Sequence, residues 1–152
     1  MYRFSWNRIV VNKAAHSLTG LESEVMAVVW DAQPEAVSVR DVVDGLNQSR
    51  ANRRQKKLAY NTVQTVMILL KQKKAVKQVK AKGRAHYFQA MISRDDASRH
   101  VLSELSQKVF GGEVKPLILQ MIDDAEFSSE DLSELRKWVD AKLKDTKRKE
   151  KS

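Results

Sequence analysis

A chain of 152 residues with 42% hydrophobic content and three tryptophans holds one medium domain or two small ones, with enough apolar material for a packed core. It has no cysteine, which excludes disulfides, thiolate metal sites and a cysteine nucleophile and fits a cytoplasmic setting. The formal charge of +9 is concentrated: from Gly45 through Ser93 there is no Asp or Glu but twelve of the 28 basic residues, namely Arg50, Arg53, Arg54, Lys56, Lys57, Lys71, Lys73, Lys74, Lys77, Lys80, Lys82 and Arg84. A field of one sign on one segment is the footprint of a polyanion-binding surface, most often for nucleic acid. No apolar run approaches the ~20 residues that span a bilayer, so no membrane insertion is expected.

In chain order, residues 1–17 read as an N-terminal arm whose apolar patch, Ile9-Val10-Val11, is too short for a signal-peptide core. Thr19 with Glu22 is a capping-box pattern opening a first helix, in which Leu21, Val25, Val28 and Val29 recur at helical spacing until Pro34. Ser38 with Asp41 opens a second, short helix with Val39, Val42, Val43 and Leu46 as its apolar face. Gly45 and the polar run Asn47–Lys57 are expected to close it as a mobile basic loop. A third helix, Tyr60–Lys74, buries Val63, Val66, Met67 and Leu70 at i, i+3, i+4 and i+7. Its other face shows Asn61, Thr62, Gln64, Thr65, Ile68, Lys71 and Gln72, polar readers first and cations later. Alternation in residues 76–80 and 85–89 around Gly83 predicts a β-hairpin. Three helices and a basic hairpin follow the order of a winged helix-turn-helix domain, placed here at residues 18–92.

Residues 93–143 read as a helical dimerisation domain. Ser93 with Asp96 opens a helix carrying Val101, Leu102, Leu105 and Val109, ended by Gly111-Gly112. Pro116 starts the next, with Leu117, Ile118 and Met121, and Ser128 with Asp131 opens a third, with Leu132, Leu135 and Val139. So small a unit gains little from its own core, and pairing with a second copy would cover these faces. Residues 144–152 are expected to be a disordered basic tail. The predicted fold is therefore mostly α with a small β wing.

Catalytic and metal chemistry find no footing in the residues. His16, His86 and His100 are scattered, and Asp123, Asp124 and Glu126 sit at a helix boundary. No phosphate loop or nucleophile motif is present. No cofactor is expected, and the chain does not read as an enzyme. Trp30 and Trp138 fall on apolar helix faces and are expected in the core.

Four segments together resemble the penicillinase-repressor family of winged-helix transcriptional regulators: residues 21–30 (LESEVMAVVW), 58–66 (LAYNTVQTV), 83–88 (GRAHYF) and 108–112 (KVFGG). The resemblance implies a homodimeric repressor binding a double-stranded DNA operator with dyad half-sites of TACA/TGTA type. By position it implies base readout by Asn61, Thr62, Gln64 and Thr65. Gln64 suits a bidentate contact with adenine, and a Thr methyl suits contact with a thymine methyl. Tyr60, Lys71, Lys80, Lys82 and Arg84 would contact the DNA backbone, with Arg50, Arg53, Arg54, Lys56 and Lys57 as extra contacts from the loop.

The chain departs from the family pattern in its longer, more basic loop and its N-terminal arm. In antibiotic-responsive members a membrane sensor-protease cuts an Asn–Phe bond in the first dimerisation helix, which aligns with Glu104-Leu105 here. The alternative functional reading is a non-specific or architectural nucleic-acid binder driven by the basic loop and wing.

Overall fold

The structure, a computed structural model, describes residues 17–80, 83 and 86–152. The arm with Trp6 and His16, and the wing cations Lys82 and Arg84, lie outside the described residues. Helix α1 is Gly20–Asp31, and the Thr19 hydroxyl accepts from the Glu22 N–H at 3.2 Å as a cap. Glu22 does not close the capping box. Its carboxylate is buried and takes the Lys73 ammonium at 2.7 and 3.0 Å, which ties α1 to the end of the third helix.

Strand β1 is Val37–Ser38 and leads into α2, Val39–Asn52. Here the capping box is complete: the Ser38 N–H donates to Asp41 Oδ2 at 2.8 Å, and the Asp41 N–H to Ser38 Oγ at 3.1 Å. The helix does not stop at Gly45, so most of the expected loop 47–57 is not a loop. Glycine at 45 serves close packing, because a Cβ there would stand 3.0 Å from Val28 Cγ1 on α1. Leu46 is sealed in the core one residue later.

The remaining connection, residues 53–59, is tied down at several points. Asn47 donates to the Leu58 carbonyl at 3.0 Å and accepts the Leu58 N–H at 2.8 Å. Arg50 Nε donates to the Lys56 carbonyl at 2.7 Å, and Arg54 reverses the chain at φ 55°. These bonds occupy backbone groups that a mobile loop would leave to water.

Helix α3 is Tyr60–Gln72, with Val63, Val66, Met67 and Leu70 buried as the periodicity predicts. It ends on Lys74, left-handed at φ 63°, with the Ala75 N–H reaching the Leu70 carbonyl at 2.9 Å. Strands β2 (Val76–Val79) and β3 (Tyr87–Ala90) pair antiparallel from Val76↔Ala90 to Val79↔Tyr87. β1 adds to the other edge through Val37↔Phe88, giving the order β1-β3-β2. A two-residue strand carries no alternation to read, so sequence reasoning missed it. Side chains from α1, α2, α3 and the sheet close one core around Val25, Met26, Val42, Leu46, Met67 and Leu70.

Helices α4 (Arg94–Val109), α5 (Val114–Asp124) and α6 (Ser129–Glu150) complete the chain. Ser93 Oγ accepts the Asp96 N–H at 3.0 Å, and Ser128 with Asp131 forms a full capping box. Gly111 and Gly112, at φ 60° and 86°, let the Gly112 N–H fold back onto the Ser106 carbonyl at 2.9 Å and close α4. The segment expected as a disordered tail is helical through Glu150. Asp145 there pairs with Arg148 at 2.6 Å and Lys149 at 2.9 Å, contacts one turn along that favour helix.

The chain divides into two compact units between Leu105 and Ser106, inside α4. The first turn of α4 belongs to the first unit for visible reasons. Ala97 is buried in its core, Arg94 pairs with Asp31 at 2.6 Å and lies 5.5 Å over the Trp30 ring, and Trp30 Nε1 donates to the Ile92 carbonyl at 2.9 Å. Trp30 thus packs as expected. Trp138 does not: it is 77% exposed, because residues 106–152 close no core within the single chain.

Candidate nucleic-acid interface

The surface that the charge pattern points to is assembled by three elements. α3 supplies the readers, and its register follows from the buried stripe: with Val63, Val66, Met67 and Leu70 facing in, Asn61, Thr62, Gln64 and Thr65 must face out, and all four are exposed. The Thr65 hydroxyl donates back to the Asn61 carbonyl at 2.9 Å, which fixes its rotamer and points the methyl away from that bond.

Beside the readers runs a groove of about 410 Å³, lined by Ser38, Val39 and Arg40 of the α2 start, by Tyr60, Gln64, Met67, Ile68 and Lys71 of α3, and by Gln78, His86 and Phe88 of the hairpin. Arg40 lies 5.0 Å over the Tyr60 ring, a cation–π contact that holds the guanidinium at the groove's edge. Lys71 Nζ donates to Gln78 Oε1 at 2.8 Å. An ammonium has no acceptor, so the Gln78 oxygen must face it, and the amide nitrogen is left to donate to His86 Nδ1. This chain of three side chains stiffens the base of the wing against α3.

The twelve cations of the acid-free stretch are not equivalent. Lys73 is joined to Glu22, and Arg50 donates to Glu24 at 2.7 Å, so acids of α1 compensate both. Arg50, read from sequence with the extra DNA contacts, is turned inward by this pair. Arg53 makes a long 3.8 Å contact with Glu24 and donates to Ser49 Oγ at 3.4 Å but stays exposed, as do Arg54, Lys56, Lys57, Lys71, Lys77 and Lys80. Charge counting along the chain found the loop and wing cations but missed Arg40, which sits among acids in sequence. It also gave no role to Ile68 or Gln78, for which composition carries no signal.

The groups expected to pair with a second copy lie apart from this surface in sequence. Val101, Leu102, Leu105 and Val109 of α4 are exposed, as are Ile118 and Met121 of α5 and Leu132, Leu135 and Val139 of α6. Leu117 alone among the residues named for pairing is buried. Glu104 and Leu105 lie within helical backbone in α4, where His100 Nε2 stands 3.5 Å from Glu104 Oε1. Among the described residues no three His, Asp or Glu side chains gather as a metal site, and no helix is long and apolar enough to cross a membrane.

Helix, strand, two helices and a hairpin, with a polar stripe on the third helix and cations around it, define a winged helix-turn-helix domain of the DNA-binding class. The sequence profile of the penicillinase repressor matches residues 18–141, and the chain belongs to that family of transcriptional repressors. A penicillinase repressor from Staphylococcus aureus is 24% identical over 115 residues, which cover 76% of this chain and 84% of the relative.

Proposed function

We propose that this chain is a sequence-specific repressor that binds a dyad operator in double-stranded DNA as a homodimer. The observation that carries the reading is the outward stripe of α3. Asn61, Thr62, Gln64 and Thr65 stand exposed on a helix that itself carries no acid and has Arg40 and Lys71 beside it in the groove. Amide and hydroxyl side chains at the N-terminal end of such a helix can reach base edges in a major groove. Lys71, Lys80 and Arg40, all exposed, would meet phosphates beside it, fixing register without reading sequence. The dimer is supported by the exposed apolar stripes of α4, α5 and α6, which a second copy would cover. Glu104-Leu105 departs from the family's Asn–Phe bond, and cleavage there would require α4 to open locally first, since the bond lies in helix.

A specific observation favours the second reading, a binder of any duplex: Arg53, Arg54, Lys56 and Lys57 form an exposed cationic cluster outside α3. Salt dependence does not separate the two readings, because both release counterions. Fluorescence anisotropy does, at physiological salt, with an operator selected from a randomised duplex pool and a scrambled duplex of equal length. A preference of about a thousandfold or more marks a specific repressor. Comparable affinities replace it with the second reading. Gln64→Ala is expected to cost about 1–3 kcal/mol on the operator and little on the scrambled duplex.

A further inference from the structure

Ile68 is the most exposed apolar side chain of α3, with Leu69, 43% exposed, next to it and the rest of the outward face polar. At about 100° per residue, it lies about 150° from the mean direction of the four buried residues of α3, on the outermost stripe with Asn61, Thr65 and Gln72. It is 51% exposed and lines the groove beside Gln64 and Lys71. A lone exposed isoleucine is ordinary on a protein surface. This one sits on a helix that carries no acid, in a groove edged by Arg40 and Lys71 with Asp41 as the acid at the α2 start, so a partner that is anionic around its rim and apolar within fits it. The major groove of duplex DNA has that pattern, and its apolar point is the C5 methyl group of thymine. A β-branched side chain on a helix is nearly fixed in χ1, so Ile68 presents its methyl groups with little entropy left to lose.

We propose that Ile68 is a specificity-determining residue that packs on a thymine methyl in each half-site; this rests on the operator-binding reading above. It stands about 10 Å along the helix axis from Asn61, seven residues at ~1.5 Å each, so the base pair it meets differs from the one beside Asn61. Substitution of an exposed isoleucine by alanine, the best helix former, leaves α3 intact.

The test replaces each thymine of the selected operator in turn by deoxyuridine, which removes only the methyl group, and measures binding of the full chain. At one position in each half-site, uracil is expected to weaken wild-type binding by about fourfold, the weight of one buried methyl at ~0.8 kcal/mol. Ile68→Ala is expected to lose the thymine preference at that position and keep any preference read by Thr62 or Thr65 elsewhere. Ile68→Val is expected to restore it. Identical thymine-to-uracil ratios in wild type and Ile68→Ala at every position overturn the inference and leave operator binding standing. A wild-type chain with no preference for the operator over the scrambled duplex overturns both.

Discussion

Met26, Met67 and Leu70 in the first unit are sealed from solvent, whereas Ile118, Met121 and Leu132 in the second, as apolar and as regularly spaced, stand open to it. Both regions are built from short amphipathic helices with clear caps. The difference is what each helix face meets. In the first unit α1, α2 and α3 cross closely enough to need glycine at position 45, and a sheet covers the remaining side. In the second, the apolar stripes of α5 and α6 exceed what their own residues can cover. Amphipathic pattern states that a face is to be buried but not in which molecule. The contrast teaches that one half of this protein is complete as a folded unit, while the other half is built as a surface.

Leu70→Ala is expected to lower the unfolding free energy by about 2–5 kcal/mol, as emptying a packed core does, and by the same amount at every protein concentration. Denaturant titration at two concentrations checks it, and a concentration-dependent loss would mean that the first unit does not stand alone. Leu135→Glu acts on the proposed dimer instead. Light scattering is expected to show half the wild-type mass, with operator affinity reduced by about 100-fold or more as the two half-sites cease to be engaged together. An unchanged mass would move the interface off α6.

Smaller effects sharpen the local picture. Lys74 adopts φ 63° at the end of α3, a conformation that costs a side chain more than it costs glycine. Lys74→Gly is expected to raise stability by up to about 1 kcal/mol, and a lower denaturation midpoint would contradict that. The smallest effect belongs to the end of α6. The hydrogen bonds from Lys149 and then Arg148 hold the Asp145 carboxyl below its usual value of 3.8. A depressed carboxylate contributes stability above its unfolded pKa and loses it as pH falls through the folded one. Amide protection in residues 144–150, measured as exchange relative to the intrinsic rate at each pH, is therefore expected to fall below about pH 4, and Asp145→Asn to remove that acid-dependent step. Protection that does not change with acid in the wild type would show that packing, not these pairs, holds the last turns.

Much of this architecture was legible in residue order. Ser38 with Asp41 and Ser128 with Asp131 marked helix starts because a short hydroxyl or carboxylate satisfies backbone N–H groups that nothing else can reach. The inward stripe of α3 gave the outward one, and with it the candidate readers. Three features misled. Gly45 reads as a helix end by propensity but is a contact point with Val28. Trp138 reads as core by its type but has no core to enter in the single chain. Residues 144–150 lack apolar periodicity, yet ion pairs and continuity with α6 carry them as helix.

Residue type and spacing by themselves determined where helices begin, which faces are apolar, and that the excess positive charge belongs to one segment. Those properties are local, set by groups within a few residues of one another. Only the tertiary structure decided which cations remain available, since the acids that compensate Arg50 and Lys73 come from α1, 26 and 51 residues away in sequence. It also placed Arg40 over Tyr60 at the edge of the groove and turned Ile68 to its open side. Charge and apolarity are written in the sequence, but whether they are compensated depends on distance in space, which only the folded chain sets.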